Sequence, residues 1–177
     1  KNQFSERDIC SKLITPALVK AGWDLHTQIF EEKSLTDGRI IVRGRVTARG
    51  TRKRADYVLY LKPNIPIAVI EAKDNRHSVG DGMQQALTYA KMLQVPFAFS
   101  SNGDGFIFHD ATGQSGEIEQ TLGMDDFPSP AELLSKYQIW KGLSEEASKV
   151  AFYDYRDMGK TPRYYQVNAI NSAVEAI

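Results

Sequence analysis

The sequence predicts an α/β domain, and three observations carry that prediction. Two apolar runs, Arg54–Leu61 and Ile67–Lys73, flank the turn-forming segment Lys62-Pro63-Asn64-Ile65-Pro66 and read as a β-hairpin. A second apolar pair, Pro96–Ser100 and Phe106–His109, flanks Ser101-Asn102-Gly103-Asp104-Gly105, again hairpin chemistry. Between the pairs, Val79, Met83, Ala86, Leu87, Ala90 and Leu93 recur at helical spacing and form one apolar stripe.

The remaining elements follow in order. Ser5-Glu6-Arg7-Asp8 has the form of a capping box, with Ser5 as N-cap and Asp8 at the third helical position. Ile9 and Leu13 follow Glu6 at three and seven residues, which places Glu6 on the inward face. A first-turn glutamate favoured by the helix dipole is the plainer account. Pro16 should kink or restart this helix, and Gly22-Trp23 should end it. Residues 110–126 are polar and glycine-bearing and read as loop. A short helix should follow Pro130, reaching Trp140. The stretch 141–160 reads as a linker with some helix. The chain opens on Lys1 without a methionine and stops inside an apparent helix, so a fragment of a longer protein is expected.

Composition is that of a soluble globular protein: 177 residues, 42% hydrophobic and 25% charged, enough for one domain with a real core. No apolar run reaches the length of a membrane span, and the N-terminus has no signal-peptide character. A lone cysteine, Cys10, cannot form an internal disulfide and points to a reducing, cytoplasmic compartment. His26, His77 and His109 are scattered, with no zinc spacing, and read as structural or solvated.

Net charge is zero but unevenly spread. Arg39, Arg43, Arg45, Arg49, Arg52, Lys53 and Arg54 fall in a stretch with no acid. Everything else carries fifteen basic and twenty-two acidic residues, a net of −7. A basic stretch leading into a carboxylate site points to capture of a polyanion, with phosphate the natural substrate group. A solvated β-ribbon is the plainer account.

The chemistry sits in the first hairpin. With the turn centred near Asn64, Asp56 falls opposite about Ala72, while Glu71 and Lys73 share a face. Two carboxylates and a lysine then meet at one hairpin end. Burying them is costly unless they bind a metal or one another. Oxygen ligands suit a hard cation such as Mg²⁺, and Lys73 could orient a water or offset charge on phosphate. A surface hairpin with a Glu–Lys pair would use the same residues. Gln85 and Tyr89, four apart, lie on one ridge of the next helix, off its apolar stripe. A glutamine can bridge a metal-bound water or a phosphate, and a tyrosine offers a hydroxyl and a ring.

Taken together, the N-terminal glutamate helix, Arg54-Ala55-Asp56-Tyr57-Val58-Leu59-Tyr60, Ile70-Glu71-Ala72-Lys73 and Gln85-Ala86-Leu87-Thr88-Tyr89 resemble the PD-(D/E)XK nuclease superfamily, in its RecB-like branch with a QxxxY motif. Order and spacing are most similar to the N-terminal nuclease domain of type I restriction enzyme R (motor) subunits. The motifs cover residues 5–110; Ala55 stands where the superfamily's name has proline. Thr161-Pro162-Arg163-Tyr164-Tyr165-Gln166-Val167-Asn168-Ala169-Ile170 separately resembles the opening of the superfamily 2 helicase motor.

The resemblance implies a restriction-endonuclease-like α/β core, a mixed sheet flanked by helices, over residues 1–140, a linker at 141–160 and the start of a motor at 161–177. It implies Mg²⁺ held by Asp56, Glu71 and the Ala72 carbonyl, with Glu6 as an auxiliary acid and candidate ligand. Lys73 would position or activate water, and Gln85 and Tyr89 would support the phosphate end. Arg49, Arg52, Lys53 and Arg54 are the expected DNA contacts. Arg163 and Gln166 would meet the adenine of ATP. The implied activity is that of a type I site-specific deoxyribonuclease, which cuts double-stranded DNA after ATP-driven translocation. Its partners would be DNA and the modification (methyltransferase) and specificity subunits, with no membrane. Two other readings stay open: a repair or recombination nuclease of the same fold with a different motor, and a catalytically idle DNA-binding adaptor.

Overall fold

A computed structural model describes residues 4–35, 41–43, 46–48, 53–62, 65–114, 116–143, 169 and 173, with backbone alone at 41–43 and 46–48. Among the described residues, helices and strands run in the order α1 (Glu6–Ile9), α2 (Thr15–Lys20), β1 (Ile29–Leu35), β2 (Ile41–Arg43), β3 (Val46–Ala48), β4 (Lys53–Lys62), β5 (Ile65–Ala72), α3 (Met83–Leu93), β6 (Phe97–Ser101), β7 (Phe106–Asp110), β8 (Glu119–Leu122) and α4 (Pro130–Lys141). A π-helical turn, Cys10–Ile14, joins α1 to α2.

The main sheet has six strands in the order β1-β4-β5-β6-β7-β8. Only β5 and β6 run parallel; the other neighbours are antiparallel. A parallel pair needs a crossover, and α3 supplies it. β2 and β3 pair as a separate antiparallel ribbon.

Both faces of the sheet are covered, so every residue of β5 is buried, as expected of a strand with helices on either side. Side-chain alternation sorts the core. Tyr57 and Leu59 of β4 and Ala68, Ile70 and Ala72 of β5 pack with Ile9, Ile14 and Leu18 of the N-terminal helices, Phe97, Phe99, Phe106 and Phe108, and Phe127 and Leu133. Val58, Tyr60, Val69 and Ala98 face the other way, against Met83, Ala86, Tyr89, Ala90 and Leu93 of α3. Burial at roughly 25 cal/mol per Å² of apolar surface is what holds α3 on the sheet.

Local chemistry matches the expected element starts. Ser5 and Asp8 form the reciprocal capping box. Ser129 caps α4 through Glu132 in the same way, with Pro130 at the first helical position. The helix restarts at Pro16, as expected. A π-turn precedes the proline, which sits in the first turn of α2 where its missing N–H costs nothing.

Four expectations are corrected. β1 had not been foreseen, and β8 lies in a stretch expected to be loop. The third helix begins at Met83, and Val79 belongs to the turn before it. The hairpin closes at Lys62↔Ile65, so its turn centres between residues 63 and 64, and Tyr57 pairs with Ile70. Continued by one residue, that register sets Asp56 against Glu71 and not Ala72. Glu71 lies on the α3 side, against Gly82, whereas Asp56 lines a cavity with Arg7, Cys10 and Ser11 of the N-terminal helices. Most of the linker at 141–160, and all of 161–177 except residues 169 and 173, lie outside the described residues.

Candidate active site

β4 and β5 stop pairing through their backbones at the candidate site and pair through carboxylates instead. The Ala72 N–H donates to Asp56 Oδ2 at 2.8 Å. The Asp56 N–H donates to Glu71 Oε1 at 3.2 Å. These reciprocal bonds hold the two acids together where the strands part. Glu71 is 1% exposed, and no ion pair reaches either acid among the described residues. Burial, and then the Asp56 carboxylate beside it, push the Glu71 carboxyl up to about 8. Two like charges in a dry site resist joint ionisation; a divalent cation between them would remove that conflict.

Lys73 emerges from the end of β5, its N–H fixed by Ser101 O at 2.8 Å. Its ammonium donates to Gln85 Oε1 at 3.4 Å and lies 3.9 Å from Glu6 Oε1. Gln85 Nε2 in turn donates to the Tyr89 hydroxyl at 3.0 Å. Lys73, Gln85 and Tyr89 thus form one hydrogen-bonded line beside the first turns of α3, and Asp56 and Glu71 form a pair at the carboxyl end of β5.

Two side-chain expectations are corrected. Glu6 is exposed and meets Lys73 by an ion pair, not the acid pair. Among the described residues no three His, Cys, Asp or Glu side chains converge as a metal-holding group. Tyr89 is 7% exposed and belongs to the core beneath α3. Its ring is structural, and only its hydroxyl reaches toward the site.

Residues the sequence did not single out hold the site together. The Asp74 carboxylate, next after Lys73, accepts from Arg76 Nη2 at 2.8 Å and Arg76 Nε at 3.0 Å, with His77 Nδ1 at 3.2 Å. Arg76 holds that carboxyl well below the usual range. Asn102 Nδ2 donates to His77 O at 2.8 Å, and Asn75 Oδ1 accepts the Phe4 N–H at 3.2 Å. The last bond ties the start of the chain to this loop and brings Glu6 within reach of Lys73. An Asp-Asn pair following a strand was the only available signal. Beside Asp56 lies a cavity of about 220 Å³ lined by Arg7, Cys10, Ser11, Glu31, Glu32 and Tyr57. Burial pushes the Cys10 thiol there up to about 12, which disfavours its thiolate.

Of the expected DNA contacts, Lys53 is exposed on β4. Arg54 is engaged by Glu32 on β1 through its carboxylate and backbone carbonyl. Arg49 and Arg52, with Arg163 and Gln166, lie outside the described residues.

The fold is a restriction-endonuclease-like α/β core: a mixed six-stranded sheet with helices on both faces. Residues 39–117 match the family described as Type I restriction enzyme R protein N terminus. The chain is 54% identical to the Type I restriction enzyme EcoAI endonuclease subunit of Escherichia coli, over a 179-residue alignment covering 99% of this chain and 22% of that protein. It superposes with a TM-score of 0.80 and 40% identity on a solved fragment ascribed to an HsdR subunit of a type I restriction enzyme from Vibrio vulnificus YJ016, covering 99% of this chain and 33% of that one. The chain belongs to the family of type I restriction enzyme R-protein N-terminal regions.

Proposed function

We propose that residues 1–140 are the nuclease domain of a type I restriction R subunit and hydrolyse phosphodiester bonds of double-stranded DNA without reading sequence. The observation that carries this reading is the pairing of buried Glu71 with half-buried Asp56 through reciprocal bonds to backbone N–H groups, with the Lys73 charge acting on Glu71.

The donor set fits Mg²⁺. Two carboxylates are all the protein need supply, since phosphate and water oxygens complete the octahedron. The N–H and C=O of a strand residue point to the same edge, so the Ala72 carbonyl is aimed with its N–H toward Asp56 and can add a third oxygen. When bound, the metal would supply an acidified water and a polarised phosphorus.

The chain's own residues do the rest. Asp56 and Glu71 hold the acidic oxygens fixed, so no reorganisation is needed as charge develops. Lys73 donates to the attacking water or a phosphate oxygen, and Gln85 and Glu6 keep its ammonium pointed there. Tyr89 anchors Gln85. In the reaction a water oxygen bonds to phosphorus and gives up one proton to solvent, one ester P–O bond breaks, and the leaving oxygen takes up one proton from solvent.

Residues 141–160 would be the linker and 161–177 the opening of an ATP-driven motor, with Gln166 and Arg163 toward adenine. Modification and specificity subunits would be the partners and the cytoplasm the setting. Among the described residues no helix is long and apolar enough to cross a membrane. In the assembled enzyme, Asp56→Ala, Glu71→Ala and Lys73→Ala should each abolish plasmid cleavage while ATP hydrolysis continues. A Glu71→Ala enzyme that cuts at the normal rate would show the assignment to be wrong.

A further inference from the structure

α3 reaches the candidate site at its very start as well as through Gln85. Gly82, its N-cap, is buried and has φ −84°. That backbone conformation is open to any residue, so glycine is not required there by φ. Space requires it. A Cβ on Gly82 would stand 2.8 Å from Ser100 Oγ, 3.1 Å from Glu71 Cβ and 3.3 Å from Glu71 O.

The Gly82 N–H donates to Ser100 Oγ at 3.0 Å, in a fully buried setting. Ser100 is 0% exposed and lies opposite Glu71 in the parallel β5–β6 register. It shares the α3 side of the sheet with Glu71, since Ala98, two residues earlier, packs under α3. Glu71 therefore has the Gly82 backbone above it and Ser100 beside it, while its carboxylate is bonded to the Asp56 N–H.

We infer that Gly82 and Ser100 are positioning residues, clamping the start of α3 to the β5–β6 seam and so fixing the Glu71 carboxylate against Asp56. This rests on the reading of Glu71 as a ligand. Neither residue touches substrate; both act through Glu71. Loss of such a support lowers metal affinity before it lowers the maximal rate.

The test uses the intact subunit, with Glu71→Ala, Ser100→Ala and Gly82→Ala compared with wild type. Plasmid cleavage by the assembled enzyme is followed over a Mg²⁺ series, and the rise in melting temperature on adding Mn²⁺ is measured without DNA. Ser100→Ala should raise the half-saturating Mg²⁺ concentration about threefold, and Gly82→Ala about tenfold or more. Both should shrink the Mn²⁺-induced rise and leave ATP hydrolysis unchanged. If Glu71→Ala is inactive while Ser100→Ala and Gly82→Ala keep the wild-type Mg²⁺ midpoint and Mn²⁺ response, the clamp is overturned and the site stands. If Glu71→Ala cuts normally, the underlying reading falls. Should Gly82→Ala not fold, Ser100→Ala decides the matter alone, because it adds no atom, and an unchanged midpoint there overturns the inference.

Discussion

Glu71 is the residue whose energetics most sharply separate a metal site from a structural acid. Its carboxyl is raised from an ordinary 4.5 to about 8 by burial and by Asp56. Below pH 4.5 it is protonated whether the chain is folded or unfolded, and it costs nothing. As pH rises from about 4.5 to 8, the unfolded chain ionises it and the folded chain does not, so folding stability should fall across that window. In metal-free protein, melting temperature should drop between pH 5 and pH 8. Glu71→Gln should flatten the drop and melt higher than wild type at pH 8. Added Mg²⁺ should restore wild type there but not Glu71→Gln, since the ligand must be deprotonated to bind. Parallel melting curves for the two proteins across this range would mean that Glu71 is not held in that state.

The short motifs at this scale were legible because they are local. Asp56, Glu71, Lys73 and Gln85 stand out as candidates by spacing and residue type. The surroundings of Asp56 were not legible, because side-chain alternation fails there: Ala55 and Tyr57, two apart, pack into opposite faces. Glu6 is exposed although Ile9, three residues on, is buried: in the first turn an acid is favoured by the helix dipole without packing inward.

At the scale of elements, α3 does two jobs with one face. The sheet covers a wider arc of it than its aliphatic stripe marks, and Tyr89 lies inside that arc. An amphipathic ring can be buried while its hydroxyl stays at the edge, which residue type alone does not reveal. Tyr89→Ala should therefore cost about 3–5 kcal/mol of stability, as aromatic truncations in cores do. Tyr89→Phe keeps the ring and removes only the acceptor for Gln85 Nε2. It should melt within a few degrees of wild type yet cut DNA more slowly, because Gln85 then holds Lys73 less firmly. Calorimetry run beside single-turnover cleavage separates the two. A Tyr89→Phe enzyme with an unchanged rate would remove the hydroxyl from the site. β1 and β8 escaped the sequence for physical reasons too. Glu32 takes φ +51° in mid-strand, interrupting the alternation that marks a strand, and β8 is a four-residue edge strand, Glu-Gln-Thr-Leu, with little apolar signal.

At the scale of the molecule, charge is segregated. On the proposed reading, a net of −7 outside residues 39–54 would repel DNA and leave the attraction to the basic stretch. The structure divides that stretch unequally. Lys53 is exposed, whereas Arg54 is already neutralised in part by Glu32 on β1. Each phosphate contact contributes about 0.9 to the slope of log affinity against log salt. Lys53→Ala in the intact subunit should flatten the slope by about that amount, equally for unrelated DNA sequences. Arg54→Ala should flatten it less, and Glu32→Gln should steepen it by freeing the guanidinium for phosphate. Fluorescence anisotropy on two unrelated duplexes, titrated with salt, measures all three. Equal effects of Lys53→Ala and Arg54→Ala would show that the Glu32 pair does not persist when DNA is bound. No effect of either would leave DNA capture to other residues and make this end of β4 a solvated face.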